Sequence, residues 1–287
     1  MIEPVVPTVR DLWAATAQVV PRHEARWLVE VACALDGAEF DAALDEPVTE
    51  RMVAHLDAMA ARYRAGEPLA YVLGRWSFRH VELAVDRRVL IPRPETELVA
   101  GVAIELAAAV SPARRVADLG TGSGAIGLAL ATELPLDGTT VWITDASAEA
   151  LDVARANLAG IGRAARNVRV GQGEWFAALP AGDRFDVLVS NPPYVAEGSP
   201  DLAAGVAEWE PASALFSGVD GLDDIRRLVA GAPEWLAADG WLVLEIGHDQ
   251  GPAVLDLLSR AGYRDAEIRQ DLSGHNRIAL ARNPETL

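Results

Sequence analysis

The sequence predicts an α/β protein: a mostly parallel, doubly wound sheet preceded by a small helical bundle and a β-hairpin linker. Three observations carry that expectation. Beyond Val110 short apolar runs alternate with stretches of helical period, the pattern of strands joined by crossover helices. Up to about residue 70 the apolar residues recur at helical spacing, with no strand pattern between them. From Gly74 to Ile91 the period shortens to that of strands. The expected boundaries are 1–72 for the bundle, 73–92 for the hairpin and 93–287 for the sheet domain.

In the bundle, Thr8 followed by Asp11 has the form of a capping box, and Val9, Leu12, Trp13, Thr16 and Val20 fall at helical spacing. Pro21 opens a second helix with Trp27, Leu28, Val31, Ala32 and Leu35 on one face and Gly37 as its stop. Thr49 starts a third, with Met52, Val53, Leu56, Met59 and Tyr63 inward and Gly66 at its end. Trp76, Phe78, Val81, Leu83 and Val85 outline short strands, and Val89 to Ile91 another. Pro94 sits in the first turn of a helix running to about Val110, where Glu95 and Glu97 complement its positive end. Strands follow at 116–119, 140–144, 168–170, 186–190, 241–246, 267–269 and 277–281, and helices at 125–133, 148–159, 221–237 and 252–260. Residues 196–220 form a long loop carrying Glu208-Trp209-Glu210-Pro211, and ordered loops of that length are commonly functional.

Composition narrows the function. The chain of 287 residues is 51% hydrophobic, enough for one large or two ordinary domains with a real core. No apolar run reaches the ~18 residues of a membrane span, and the first twenty residues lack a signal-peptide pattern, so a cytoplasmic location is expected. The single cysteine, Cys33, excludes an internal disulfide framework and a cysteine-rich metal site, and reads as a small core residue. His23 and His55 have no partner at ligand spacing and read as ordinary side chains, so no metal is expected. A net charge of −17 opposes broad nucleic-acid binding, whose affinity rests on phosphate neutralisation. Arg75, Arg79, Arg87, Arg88 and Arg93 form the one basic stretch, either a solvated connector or a surface for an acidic or phosphate-bearing partner.

Two motifs carry chemistry. Asp186 to Ser190 reads as a buried strand stopped by Asn191-Pro192-Pro193-Tyr194, because two prolines fix φ and remove backbone donors. That holds a carboxamide, carbonyls and an aromatic ring at a strand's C-terminal edge, where open parallel sheets bind ligands. A planar NH2 is a poor nucleophile because its lone pair is delocalised. The Asn191 side-chain oxygen and the Pro192 carbonyl could accept its two hydrogens and carry the positive charge that develops on nitrogen. An ordinary proline-terminated turn with a capping asparagine would have the same sequence.

The second motif, Asp118-Leu119-Gly120-Thr121-Gly122-Ser123-Gly124, follows a strand and opens a helix, with Gly127 completing a dinucleotide-type fingerprint. Asp145, at the end of the next strand, can accept both hydroxyls of a ribose. These features fit a nucleoside-bearing cofactor without separating nicotinamide coenzymes from S-adenosylmethionine. Asp118 favours the latter: a carboxylate suits an ammonium and a sulfonium better than a pyrophosphate. The Asn-Pro-Pro-Tyr corner adds an amine-positioning role and has no evident part in hydride transfer.

Taken together, Ile91-Pro92-Arg93-Pro94-Glu95-Thr96-Glu97, the Asp118–Gly124 loop, Asn191-Pro192-Pro193-Tyr194, Glu210-Pro211 and Asp220-Gly221-Leu222 resemble the HemK-like release-factor glutamine methyltransferases, in order and over nearly the whole chain. The Ile-Pro-Arg-Pro-Glu-Thr-Glu segment is the most specific element. The resemblance implies a Rossmann-like class I methyltransferase domain that uses S-adenosyl-L-methionine to methylate the glutamine side-chain amide in the Gly-Gly-Gln motif of bacterial class I peptide chain release factors. By the same resemblance Gly120, Thr121, Gly122, Ser123, Gly124, Asp145, Trp175 and Asn191 would hold the cofactor. Asn191, Pro192, Pro193 and Tyr194 would hold the glutamine, with Asn191, Pro192 and Tyr194 acting in catalysis. Trp175 corresponds to an aromatic near the adenine, with plain core packing as the other reading. Glu174 stands where the family commonly has Asp, so no adenine contact is carried over to it. A nucleic-acid methyltransferase acting on an adenine or guanine amine would use the same corner and is the alternative, although direct nucleic-acid binding is not expected of so acidic a chain.

Overall fold

The computed structural model describes residues 6–199 and 205–284. It divides into two compact units, one up to Arg75 and one from Trp76 onward, so the division falls inside the first strand of the hairpin. In the first unit, five helices pack around a core that includes Leu28, Val29, Phe40, Leu56 and Met59. They are α1 (Val9–Thr16), α2 (Arg22–Cys33), α3 (Gly37–Ala42), α4 (Glu50–Arg64) and α5 (Leu69–Leu73). Thr8 and Asp11 form the expected capping box. Helix α2 ends one residue after Cys33, at Ala34 in the left-handed conformation. Gly37 therefore does not stop α2. Asp36 caps a new helix there, accepting from Ala38 N and Glu39 N while the Glu39 carboxylate accepts from Asp36 N.

The paired hairpin strands β1 (Arg75–Phe78) and β2 (Val81–Ala84) come next, followed by α6 (Pro94–Ala108). The expected strand at 89–91 is absent. Ile91 N donates instead to the Glu210 carboxylate at 3.0 Å, and Pro92 could not continue a ladder. The elements β3 (Arg114–Leu119), α7 (Ala125–Glu133), β4 (Thr139–Asp145), α8 (Ala148–Gly160), β5 (Val168–Gln172) and β6 (Phe185–Ser190) then alternate. After them come α9 (Val206–Trp209), α10 (Asp223–Gly231), β7 (Leu236–Glu245), α11 (Gly251–Arg260), β8 (Arg264–Gln270) and β9 (Asn276–Arg282). The helix expected over 221–237 stops at Gly231, because Leu236 belongs to the sheet and pairs with Phe185.

The seven strands are ordered β5-β4-β3-β6-β7-β9-β8, with β3, β4, β5, β6 and β7 parallel and β9 antiparallel to both neighbours. This is the doubly wound sheet expected. The chain reverses its winding direction between β3 and β6, so their carboxyl ends leave a crevice that crossovers do not cover. The sheet core is apolar on both faces, with Leu119, Leu188, Leu242 and Leu244 on one and Val116, Val187, Val189 and Val243 on the other, all inaccessible or nearly so. Gly127 allows α7 to lie close against the sheet: a Cβ there would overlap Ile143 Cγ2 and sit 3.2 Å from Asp118 Oδ2.

Arg79, Arg87, Arg88 and Arg93 of the basic stretch are engaged within this unit. Arg79, at the hairpin turn, forms two 2.6 Å bonds to Glu133 on α7 and donates its backbone N–H to Glu97 on α6. Arg88 pairs with Asp86, and the Arg87 guanidinium lies 4.0 Å from the Trp209 ring centroid. Asn157 on α8 exchanges two bonds with Ala84 and gives a third to Ser123 O at 2.8 Å, tying the hairpin to the glycine loop. Among the described residues no helix is long and apolar enough to cross a membrane, and no three His, Cys, Asp or Glu side chains gather as a metal site. Replacing Gly127 by Ala is expected to lower the unfolding free energy by ~1–3 kcal/mol through overpacking against Ile143, readable as a lowered melting midpoint.

Candidate active site

The glycine loop and the Asn-Pro-Pro-Tyr corner meet at the crevice between β3 and β6. Asp118 pairs with Val189, and the Ser190 hydroxyl donates to Leu119 O at 2.6 Å just where the two strands end. Both motifs therefore leave the sheet on the same edge from adjacent strands. A cavity of about 350 Å³ opens over them. Gly120, Thr121, Gly122, Ser123, Asp145, Trp175, Asn191 and Pro193 line it, as do Asp118 and Thr96. Three of the expected site residues do not line it. Gly124 is the N-cap of α7, Pro192 is buried between the lining residues Asn191 and Pro193, and Tyr194 faces a neighbouring hollow of about 190 Å³ shared with Gln250 and Arg277.

The glycine loop is held by carboxylates. Asp118, 1% exposed, accepts from the Thr121 hydroxyl at 2.5 Å and from Gly127 N at 2.9 Å, both through Oδ2. Asp145 accepts from Gly122 N and from Ser147 N, each at 2.9 Å. Gly120 has a φ of +71°, and a Cβ on it would come within 3.2 Å of the Trp175 ring. The indole thus packs directly on the loop backbone. Trp175 itself has a φ of +47°, a left-handed conformation that costs a non-glycine residue on the order of 1 kcal/mol and marks a constrained position at the cavity wall. Glu174 points to the rim, where it pairs with Arg227 at 2.9 Å.

The corner is held from behind. Asn191 Nδ2 donates to the Thr96 hydroxyl at 3.2 Å, and that hydroxyl lies 2.6 Å from Glu245 Oε2. The Tyr194 hydroxyl donates to Glu245 Oε1 at 3.1 Å. Gln250 Nε2 donates to Tyr194 O at 2.9 Å and to Gly221 O, which fixes the chain leaving the corner. Beyond it Val195 pairs with Phe216, so the following loop folds back along the corner. Its buried Glu210 accepts from Ile91 N and pairs with Arg93, locking the loop to the Ile-Pro-Arg-Pro segment. Thr96 and Glu245 were not among the residues expected at the site. The signals for them are Thr96 inside the Ile-Pro-Arg-Pro-Glu-Thr-Glu segment and an acid inside the apolar run 241–246.

Known proteins place these features in context. Residues 15–74 match the PrmC N-terminal domain, and residues 101–209 match the methyltransferase small domain. Over 279 residues the chain is 42% identical to the release factor glutamine methyltransferase of Xylella fastidiosa, covering 97% of this chain and 99% of that one. The release factor glutamine methyltransferase of Burkholderia pseudomallei is 45% identical over 84% of each chain. The chain belongs to the release factor glutamine methyltransferase family. The fold is shared more widely: the T. thermophilus 16S rRNA N2 G1207 methyltransferase, solved with AdoMet and guanosine, superposes with a TM-score of 0.50 at 18% identity over 73% of this chain and 49% of its own.

The residues present fit S-adenosylmethionine. Asp118 Oδ1 is buried and takes no hydrogen bond, an acceptor left over beside the glycine loop that suits an ammonium group. Desolvation pushes the Asp118 carboxyl up to about 7 from its ordinary 3.8, against the two hydrogen bonds that favour its charged form. A cation bound there would return it to the ionised state. Cofactor binding at pH 7 is therefore expected to release a fraction of a proton, and affinity to strengthen as pH rises from about 6 to 8. Calorimetry in buffers of different ionisation heat reads that proton directly, and Asp118→Asn should abolish its release.

Proposed function

We propose that this chain transfers a methyl group from S-adenosyl-L-methionine to the side-chain amide nitrogen of the glutamine in the Gly-Gly-Gln motif of bacterial class I peptide chain release factors, in the cytoplasm. The observation that carries the reading is the placement of Asn191 beside the glycine loop with its Nδ2 already engaged by Thr96. Its oxygen is the end left for a ligand, so the corner offers acceptors where an NH2 must be held.

The bound cofactor supplies a methyl group on a positively charged sulfur. Gly120 to Ser123 and Trp175 would cradle it, Asp118 would face its ammonium, and Asp145 would accept from the ribose hydroxyls through the remaining lone pairs of its carboxylate. Asn191 Oδ1 and the Pro192 carbonyl would each accept one amide hydrogen, turning the nitrogen toward the methyl carbon. Positive charge would grow on the nitrogen as it takes the methyl group, and the two acceptors would stabilise it. The surplus N–H proton, acidic once the nitrogen is alkylated, would pass to water, so no strong base is needed at the nitrogen. The task is mainly one of holding two groups in line, which suits a proline-stiffened corner.

Mass spectrometry of a release factor incubated with this chain and the cofactor should find one methyl on the Gly-Gly-Gln peptide, and no methyl on adenine or guanine in a parallel oligonucleotide arm. Transfer to the oligonucleotide alone would reverse the reading. Asn191→Ala is expected to lower turnover about a hundredfold, ~3 kcal/mol, with far less effect on cofactor affinity. Asp145→Ala should weaken cofactor binding by ~1–3 kcal/mol in a calorimetric titration, because ribose hydroxyls lose a charged acceptor.

A further inference from the structure

The two ends of an asparagine carboxamide have nearly the same size and shape, but only one can serve this site. An oxygen turned toward a substrate NH2 accepts a hydrogen bond. An NH2 turned there sets donor against donor. The choice between them is made by whatever holds the opposite end. Here that partner is the Thr96 hydroxyl, 2% exposed on the first turn of α6 and 3.2 Å from Asn191 Nδ2.

A hydroxyl has one hydrogen. That of Thr96 is given to Glu245 Oε2 at 2.6 Å, while the Tyr194 hydroxyl occupies Oε1. Thr96 Oγ1 is left with lone pairs only, so it can pair with Asn191 through Nδ2 and not through Oδ1. We infer that Thr96 and Glu245 are positioning residues for the methyl transfer: a carboxylate buried at the end of β7 orients the Thr96 hydroxyl, which in turn fixes the Asn191 oxygen toward the amide to be methylated. The inference rests on the proposed reaction for the identity of that amide, whereas the relay itself belongs to the free enzyme.

The relay requires Glu245 as an acceptor. Once protonated, Glu245 can donate to Thr96, whose hydrogen then turns to Asn191 and draws Oδ1 back toward itself. The carboxamide inverts, and the substrate loses its acceptor. Four groups face this carboxyl: Thr96 and Glu95 from α6, Tyr194 from the corner and Arg277 from β9. Burial raises its pKa, Glu95 adds to that, and Arg277 together with the two hydroxyl bonds opposes it. Turnover at saturating cofactor should therefore fall as pH drops through the Glu245 titration.

Two measurements test the relay. In enzyme labelled with 15N-asparagine and free of substrate, the Asn191 side-chain NH2 should be protected from hydrogen exchange in the wild type and in Thr96→Ser, and should exchange at least ~10-fold faster in Thr96→Val. With a release factor as substrate and saturating cofactor, Thr96→Val should lower kcat ~10- to 100-fold with KM changed far less, and Thr96→Ser should restore it. Glu245→Gln should lower kcat and remove the acid limb of the wild-type pH profile. Wild-type exchange and rate in Thr96→Val would overturn the inference, as would a serine variant no better than valine, because shape and not the hydroxyl would then be at work. An unaltered pH profile in Glu245→Gln would overturn the part given to the carboxylate. Protection lost in Thr96→Val, in an enzyme that leaves glutamine unmethylated, would uphold the relay and overturn the proposed reaction instead.

Discussion

Two neighbouring parallel strands that end side by side govern this site. The pairing of β3 with β6 runs to Asp118 and Val189, one residue before each strand stops, and the Ser190 hydroxyl closes it on Leu119 O at 2.6 Å. Because the winding of the sheet reverses between these strands, no crossover helix fills the crevice above them. A glycine loop leaving one strand and a proline corner leaving the other must then face a common space. Separate the strand ends, and neither motif retains a function that the other can complete.

Asp118 and Asp145 line the space so formed, and Glu245 stands behind it, beneath Thr96 and Tyr194. Asp118 and Glu245 are each 1% exposed, and Asp145 is half-buried at the end of β4. Burial opposes ionisation in all three, raising each carboxyl above its ordinary range. For the two that line the cavity, Asp118 and Asp145, the arrangement is unfavourable in a dry site and favourable in one that receives a cation. What distinguishes the three is the supply of hydrogen bonds. Asp145 has two backbone donors and Glu245 two hydroxyl donors, one for each carboxylate oxygen. Asp118 spends both of its bonds on one oxygen and leaves the other bare. A buried acceptor without a donor is costly, and a ligand's ammonium is the group that would remove the cost.

Much of this was legible in the order of residue types. The helix over 125–133 has its expected limits, and the strands leading to Asp118, Asp145 and Asn191 lie where the apolar runs placed them. Glycine loops and proline corners are local devices whose geometry is written in neighbouring residues, so they can be read from a few positions. The errors arose where a distant partner decided the outcome. Ile91 reads as a strand residue until Glu210, 119 positions away, takes its N–H. The helix over 221–237 looks continuous until Leu236 is claimed by Phe185 in the sheet. Thr96 reads as one more residue in an acidic first turn, because its partner Glu245 is 149 positions further on.

Those long-range contacts are also what makes the corner more than a turn. Prolines restrict the backbone of residues 192 and 193 but leave the Asn191 carboxamide free to rotate about its own bond. A catalytic acceptor that spent half its time reversed would present a donor to the amide it must hold, and a flexible chain segment could not correct it. The correction has to come from groups that are themselves immobile and dry. Thr96 meets that need on a helix pinned to the hairpin by Arg79, and Glu245 meets it at the end of a strand that is paired on both sides. Backbone stiffness and a buried hydrogen-bond chain therefore answer separate requirements: the first sets where the carboxamide is, and the second sets which way round it stands.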